Sequence, residues 1–413
     1  MNSHRTTYAV WELTLQCNLA CVHCGSRAAD ARANELSTAE ALDLVQQMTE
    51  CGIAEVTLIG GEAFLRADWL IIARAIRAAG MTCTLTTGGY GISSATAVNM
   101  AEAGIQQVSI SIDGLRDTHD QLRGKPGSHA AAFNSFRHLR NAGIRLSANT
   151  QINRLSAREL PLIYADIVAA GCQAWQIGMT VPMGRAVERP EILLQPSELL
   201  DVFPLLNELA IQAERDGVLF YPGNNVGYYG PYERRLRKMQ SPEPGVDAIW
   251  DGCQAGISSI GIEADGAIKG CPSLPTSTYT GGNIRDKPLR ELLRTPELTI
   301  NEDPEPSHLW GFCRTCDYAE LCRGGCTWTA HVFFGQRGNN PYCHHRALTR
   351  QRNGIRERLI PATPANGQPF DHGTFTLILE PAQTPWPIND PLHFRSQQIQ
   401  RTRPAPPAFR ILA

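Results

Sequence analysis

From Tyr8 to about Val218 one pattern recurs along the chain: an apolar run, a polar loop, a helical stretch, then Gly and a new apolar run. The runs Ala9–Leu15, Val56–Ile59, Cys83–Thr86, Val108–Ile112, Arg145–Gln151 and Ala174–Gly178 predict strands. Their near-continuous apolar character suits a parallel sheet covered by helices. The helical stretches close in ECGI, AAGM, EAGI, NAGI, AAGC and RDGV (Gly52, Gly80, Gly104, Gly143, Gly171 and Gly217). Gly just past the last helical residue relieves the Cβ clash of a left-handed cap. Ser37-Thr38-Ala39-Glu40 and Ser156-Ala157-Arg158-Glu159 both fit a capping box at a helix start. Six βα units follow. Whether they form an open sheet or a barrel does not.

The periodicity fails in QSPEPG (Gln240–Gly245). Beyond it, ISSIGIEADGAIKGC reads as a hairpin turning at Asp265-Gly266, followed by cysteine-rich loops to about His345. Past Arg358 the chain is dense in Pro, with one strand-like run, Phe375–Leu379. That reads as an extended tail laid on the body.

The chain has 413 residues, 43% of them hydrophobic, and a formal charge of −2. That length suits two domains plus an appendage. No long Lys/Arg run is present, so nucleic acid is not an expected partner. Arg234, Arg235, Arg237 and Lys238 read as a solvated helix face, with peptide binding as the sharper reading. The N-terminus lacks the apolar run of a signal peptide, and no stretch approaches a membrane span; the expected location is cytoplasmic. Thirteen cysteines are many for that compartment, where disulfides rarely persist. Metal or redox chemistry is the inference.

Cys17, Cys21 and Cys24 lie in LTLQCNLACVHC, at the end of the first strand and in the loop after it. In repeated βα folds this end of the sheet binds ligands. A structural zinc site wants four protein ligands, and His23, beside Cys24, is badly placed to be the fourth. Three thiolates on a 4Fe–4S cluster would leave one iron open to an exogenous ligand. The C-x3-C-x2-C spacing, with an aromatic ring before the last Cys, resembles the signature of radical S-adenosylmethionine (radical SAM) enzymes. The resemblance covers the whole βα region and implies a partial (β/α)6 TIM-like barrel in which the free iron chelates S-adenosylmethionine and a 5′-deoxyadenosyl radical abstracts hydrogen from substrate. It also implies roles for other residues. Gly60-Gly61-Glu62 resembles the motif that receives the cofactor's ammonium group, with Ala63 where Pro is usual. Ser111 in SISIDG resembles a ribose or carboxylate contact, and Thr86 and Asn149 are weaker candidates of the same kind. Arg185 in PMGRA would pair with the cofactor carboxylate, with Arg123 in LRG competing.

The remaining cysteines form a second field. Cys253, Gly266 and Cys271 fit C-x12-G-x4-C, and Cys313, Cys316, Cys322 and Cys326 fit C-x2-C-x5-C-x3-C, with Cys343 after a gap. C-x2-C alone would favour zinc knuckles; the seven in this order resemble the SPASM domain, which carries two auxiliary 4Fe–4S clusters. By that resemblance Cys313, Cys316, Cys322 and Cys343 hold one cluster completely. Cys253, Cys271 and Cys326 hold the other, its fourth position either open or filled by Asp247 or Asp251. His344-His345 beside Cys343 are read as exposed or hydrogen-bonded side chains rather than ligands, and Cys51, Cys83 and Cys172 as inert core thiols.

The expected organisation is a radical SAM barrel (1–220), a bridging segment (221–248), an auxiliary-cluster domain (249–350) and a Pro-rich tail (351–413), an α/β chain with three 4Fe–4S clusters. The resemblance implies a maturase that modifies a ribosomally made peptide, drawing electrons from a flavodoxin- or ferredoxin-type donor. Because Cys17 stands close to Met1, either a separate leader-recognition protein or docking of the peptide on the body or tail is expected. Maturation of cofactor-precursor peptides of the pyrroloquinoline quinone or mycofactocin kind is the runner-up. Sulfatase maturation is disfavoured, since Pro272 stands where that subfamily places an acid. A metal-binding scaffold without activity is the alternative outside enzymes. In YPGNNVGYYGPYE, Tyr228, Tyr229 and Tyr232 are candidates for the substrate channel, with a plain linker as the blander reading.

Overall fold

A computed structural model describes residues 6–240, 248–302 and 306–386. Most of the QSPEPG break, and Asp247, lie outside the described residues. The six expected strands form as β1 (Tyr8–Glu12), β2 (Glu55–Ile59), β3 (Thr82–Thr87), β4 (Gln107–Ser111), β5 (Arg145–Ile152) and β6 (Ala174–Met179), each parallel to the next. A seventh parallel strand, β7 (Leu219–Pro222), extends the row. Its exposed Leu219 and Tyr221 alternate with buried neighbours, so the run lacks the continuous apolar character of the others.

The crossover helices are α1 (Thr38–Cys51), α2 (Trp69–Ala78), α3 (Ser94–Glu102), α4 (Arg116–Arg123), α5 (Ser128–Asn141), α6 (Leu160–Ala169) and α7 (Leu199–Asp216). Ser37 caps α1 with its full capping box, and Gly52 ends it at φ 79°, where a Cβ would clash. The second proposed box fails: Glu159 directs its carboxylate to Leu115 N and Thr118 instead, and α6 starts after it with Pro161 in its first turn. Ala41, Leu44, Val45 and Met48 of α1 and Ile72, Ala73 and Ile76 of α2 face a core that includes the fully buried Trp11 and Trp175. Side chains of this size contribute roughly 1.5–3 kcal/mol each on burial.

The sheet does not end at β1. The hairpin β8 (Ser259–Ile262) and β9 (Ala267–Lys269) turns at Asp265-Gly266 as expected, and β8 pairs parallel with β1. With β10 (Thr280–Asn283), the order is β10-β9-β8-β1-β2-β3-β4-β5-β6-β7. The row of β1–β7 does not close on itself, as a partial barrel requires, and the second cysteine region is built onto its β1 edge. Two later helices, α8 (Thr327–Phe334) and α9 (His344–Arg352), precede an antiparallel hairpin of β11 (Ile355–Thr363) and β12 (Thr374–Pro381). Much of the expected tail is thus regular structure packed on α8 and α9. Among the described residues no helix is long and apolar enough to cross a membrane.

Candidate active site

At the C-terminal ends of β1–β6 the loops enclose a cavity of about 320 Å³. Its walls include Cys17, Cys21, Cys24, Gly60, Gly61, Glu62, Thr86, Ser111, Arg123, Asn149 and Arg185, so the three thiols and every residue assigned to cofactor binding line one chamber. The cysteine loop closes on itself through Cys17 N to Ala29 O (2.9 Å) and Ala29 N to Leu15 O (3.1 Å). It is clamped to the end of α4 by Ala20 N to Arg123 O and Val22 N to Leu122 O.

Gly60 and Gly61 pass so near the strand-end backbone that a Cβ would lie 2.3 Å from Thr14 O and from Gln16 O respectively. That close passage turns Glu62 inward. Its carboxylate is buried and accepts from Thr87 Oγ1 and from Gly88 N at 2.7 Å. Burial pushes its pKa up to about 7 against those bonds; the group needs a cation to carry a full charge. Burial also pushes Cys17 up to about 12 and raises Cys21, although the Arg123 guanidinium lies 3.7 Å from the Cys21 sulfur. Several buried polar atoms at the chamber have no partner: Arg123 Nε, His23 Nδ1 and Thr180 Oγ1. Buried thiols that need positive charge, a carboxylate short of a cation and unsatisfied donors fit an iron–sulfur cluster with an ammonium-bearing ligand.

Arg185 is committed to the cysteine loop: Nε donates to Cys21 O at 2.7 Å, and both terminal nitrogens to Ala28 O at 3.2 Å. Arg123 pairs with Asp113 Oδ2 at 2.5 Å. Asn149 Nδ2 donates to Ser111 Oγ at 3.2 Å. Sequence reasoning missed Asp113, the acid of SISIDG, which holds both Arg123 and His23; it reads as a turn residue. It also missed Glu12, a buried wall residue whose pKa burial raises to about 8, and the aromatic walls Trp328 and Phe370. Pro272 lines the chamber too, so no carboxylate reaches it from that position.

A second cavity of about 250 Å³ adjoins the first and shares Asn149, Gln151, Ser273 and Trp328 with it. Cys253, Cys271 and Cys326 are among its lining residues, and burial raises Cys271 to about 11 and Cys326 to about 12. Gln176, Asn224, Asn225 and Ser259 complete a polar wall, and none of the described lining residues is charged. Asp251 is exposed and accepts from Gln254 at 3.4 Å.

Cys313, Cys316, Cys322 and Cys343 gather separately, close enough that the other three thiols add to the raised pKa of Cys322, which burial dominates. Arg346 N donates to Cys343 Sγ at 3.5 Å. Among the described residues no three His, Cys, Asp or Glu side chains are arranged to hold a single metal ion. A cuboidal cluster spreads its thiolates wider than one ion does.

The tyrosines of the bridging segment line neither cavity. Tyr228 is fully buried between the two cysteine sets, where its hydroxyl accepts from Cys326 N and its carbonyl lies 3.8 Å from Cys343 Sγ. Tyr229 stacks on Tyr318, and Tyr232 on His344, which also stacks on Phe203. From that segment it is Gly223, Asn224 and Asn225 that reach the second cavity. Cys83 and Cys172 are buried in the barrel core, and Cys51 is half-buried at the end of α1.

The sequence profile of the Radical SAM superfamily matches residues 11–152. An AdoMet-dependent heme synthase of Oleidesulfovibrio alaskensis is 30% identical over 343 residues, covering 81% of this chain and 86% of that protein. The mycofactocin maturase MftC of Mycolicibacterium smegmatis is 28% identical over 340 residues, 81% of each chain. In fold, the chain is similar to Streptococcus suis SuiB bound to its precursor peptide SuiA (TM-score 0.62, 15% identity, 82% of this chain and 74% of that one). It is similar also to anSMEcpe with bound AdoMet and a peptide (TM-score 0.65, 16% identity, 83% and 95%).

Proposed function

The chain belongs to the radical SAM superfamily, and on that premise we propose that it is a maturase acting on a ribosomally made peptide. Cys17, Cys21 and Cys24 would hold a 4Fe–4S cluster, which together with S-adenosylmethionine would supply the chemistry of radical hydrogen abstraction from the substrate. Glu62 receives the cofactor ammonium, Gly60 and Gly61 let it approach, and Ser111, Asn149 and Thr86 offer hydroxyl and amide contacts. Arg123 and Arg185 fix the cysteine loop from two sides. Cys253, Cys271 and Cys326, which line the second cavity, would hold one auxiliary cluster, and such a cluster would supply a one-electron acceptor there. Cys313, Cys316, Cys322 and Cys343 would hold the other, and a flavodoxin- or ferredoxin-type protein would supply electrons.

The observation that carries the substrate assignment is the second cavity's lining of Asn, Gln and Ser without a charged group. Amide side chains both donate and accept, as a peptide backbone does. A second reading comes from the heme synthase relative, which is matched over most of its length: a tetrapyrrole substrate. Ionised propionates would call for Arg or Lys in the passage, and its described lining supplies none.

The test follows hydrogen. The reconstituted, reduced enzyme is given S-adenosylmethionine with deuterated candidate peptides encoded beside its gene, or with iron coproporphyrin III. Deuterium in 5′-deoxyadenosine from a peptide supports the proposal. Tight porphyrin binding with transfer from the porphyrin alone replaces it with the second reading.

A further inference from the structure

The turn between β11 and β12 reaches back to the radical chamber, far from the cysteines that precede it in sequence. Phe370, on this turn, is 8% exposed and lines the chamber beside Cys24 and Gly25. Its φ of +57° is unfavourable for a bulky L-residue and persists only where surrounding contacts impose it. Those contacts are present. Phe370 N donates to Gly25 O at 3.2 Å, in the cysteine loop. Asp371 accepts from Arg27 Nε at 2.8 Å and from Gly367 N at 2.6 Å, and its carbonyl accepts from Gly184 N at 2.8 Å. His372 bridges to Met183. On the ring itself, Lys269 Nζ stands 3.7 Å from the centroid while paired with Glu263 at 2.7 Å. A surface turn has no use for so many anchors.

We infer that Phe370 is a positioning residue of the radical chamber: the C-terminal hairpin supplies its ring as the wall that screens the cysteine loop and sets the space for cofactor and substrate. The Arg27–Asp371 pair latches the wall to the loop it covers.

The first test needs no cluster. In the full chain before reconstitution, alkylation by iodoacetamide is followed at each cysteine by mass spectrometry. Phe370→Ala raises labelling of Cys17 and Cys24 about tenfold, the size of one lost aromatic contact set, while Cys83 and Cys172 in the barrel core keep their rates. Phe370→Leu, which retains bulk, stays near wild type. Asp371→Asn opens the same two thiols by loosening the latch. Unchanged Cys17 and Cys24 in both alanine and asparagine variants overturns the inference. If Phe370→Ala also exposes Cys83 and Cys172, the Asp371→Asn pattern decides: selective opening supports the wall, and none removes it.

The second test rests on the radical SAM reading. In reconstituted enzyme, Phe370→Ala raises KM for S-adenosylmethionine about tenfold in 5′-deoxyadenosine formation and leaves kcat within about twofold, and Phe370→Leu restores it. An unchanged KM overturns the cofactor-facing part. If wild-type enzyme forms no 5′-deoxyadenosine, the functional reading fails and the alkylation result still decides the wall.

Discussion

Asp113 and His23 meet at 2.9 Å, Oδ2 to Nε2, with both side chains buried. The contact joins the turn after β4 to the residue just before Cys24, and the same carboxylate holds Arg123 at 2.5 Å. Burial alone would raise its pKa, but Arg123, then His23 and the backbone N–H of Gln151, hold it well below the usual carboxylate range.

A carboxylate depressed in this way stabilises the fold above its unfolded pKa and loses that contribution only as pH falls through the folded value. The anchor therefore persists across the neutral range. Asp113→Ala leaves Arg123 buried and unpaired, a loss of about 3–5 kcal/mol. Iron analysis after reconstitution should show the radical cluster lost, about four irons of about twelve, with the auxiliary clusters kept.

Glu62 has the opposite sign. With its folded pKa raised to about 7 by burial, the ligand-free protein gains stability from it in full below the unfolded value near 4.3 and loses that gain as pH rises through about 7. Cofactor binding needs the ionised form opposite an ammonium, so affinity for S-adenosylmethionine falls about tenfold per pH unit below 7. Isothermal titration from pH 5.5 to 8 checks this, and Glu62→Gln binds weakly with the slope removed.

Cys271→Ala separates radical generation from its use. The substitution should remove about four irons and leave substrate-free 5′-deoxyadenosine formation within about threefold of wild type, while modified product disappears. Iron content and chromatography of both products measure the split.

Arg346 and Glu357 form a pair at 2.7 Å, each 1% exposed, with Arg346 N also on Cys343 Sγ. Glu357→Gln should lower stability by about 3 kcal/mol through the uncompensated guanidinium. It should also lower iron occupancy at Cys313, Cys316, Cys322 and Cys343 selectively, visible as a loss in the Mössbauer or iron count and an earlier thermal transition.

What the sequence made legible was whatever a short window contains. The six strands sit within a few residues of their apolar runs because a two-sided buried strand must be apolar throughout. Even there β1 stops at Glu12: the following residues turn out to be held by Glu35, whose carboxylate accepts from Leu15 N and Thr14 Oγ1. The chamber residues were legible because spacing and chemistry coincide in each motif. The β8–β1 pairing and the approach of Phe370 join segments remote in sequence, so neither has a local pattern. Asp113 was invisible for another reason, since an acid in a strand-end turn is ordinary until its partners are known. Relatives named for heme synthesis were not anticipated at all. The motifs describe the radical chamber, and none of them names a substrate.

The central claim is that this chain generates a radical from S-adenosylmethionine at Cys17, Cys21 and Cys24. The most direct measurement is the anaerobic incubation of reconstituted, dithionite-reduced enzyme with S-adenosylmethionine, quantifying 5′-deoxyadenosine and methionine. Equal amounts of both, abolished by Cys21→Ala, are predicted. A fully iron-loaded enzyme that forms neither would contradict the account and leave the chain a cluster-binding scaffold.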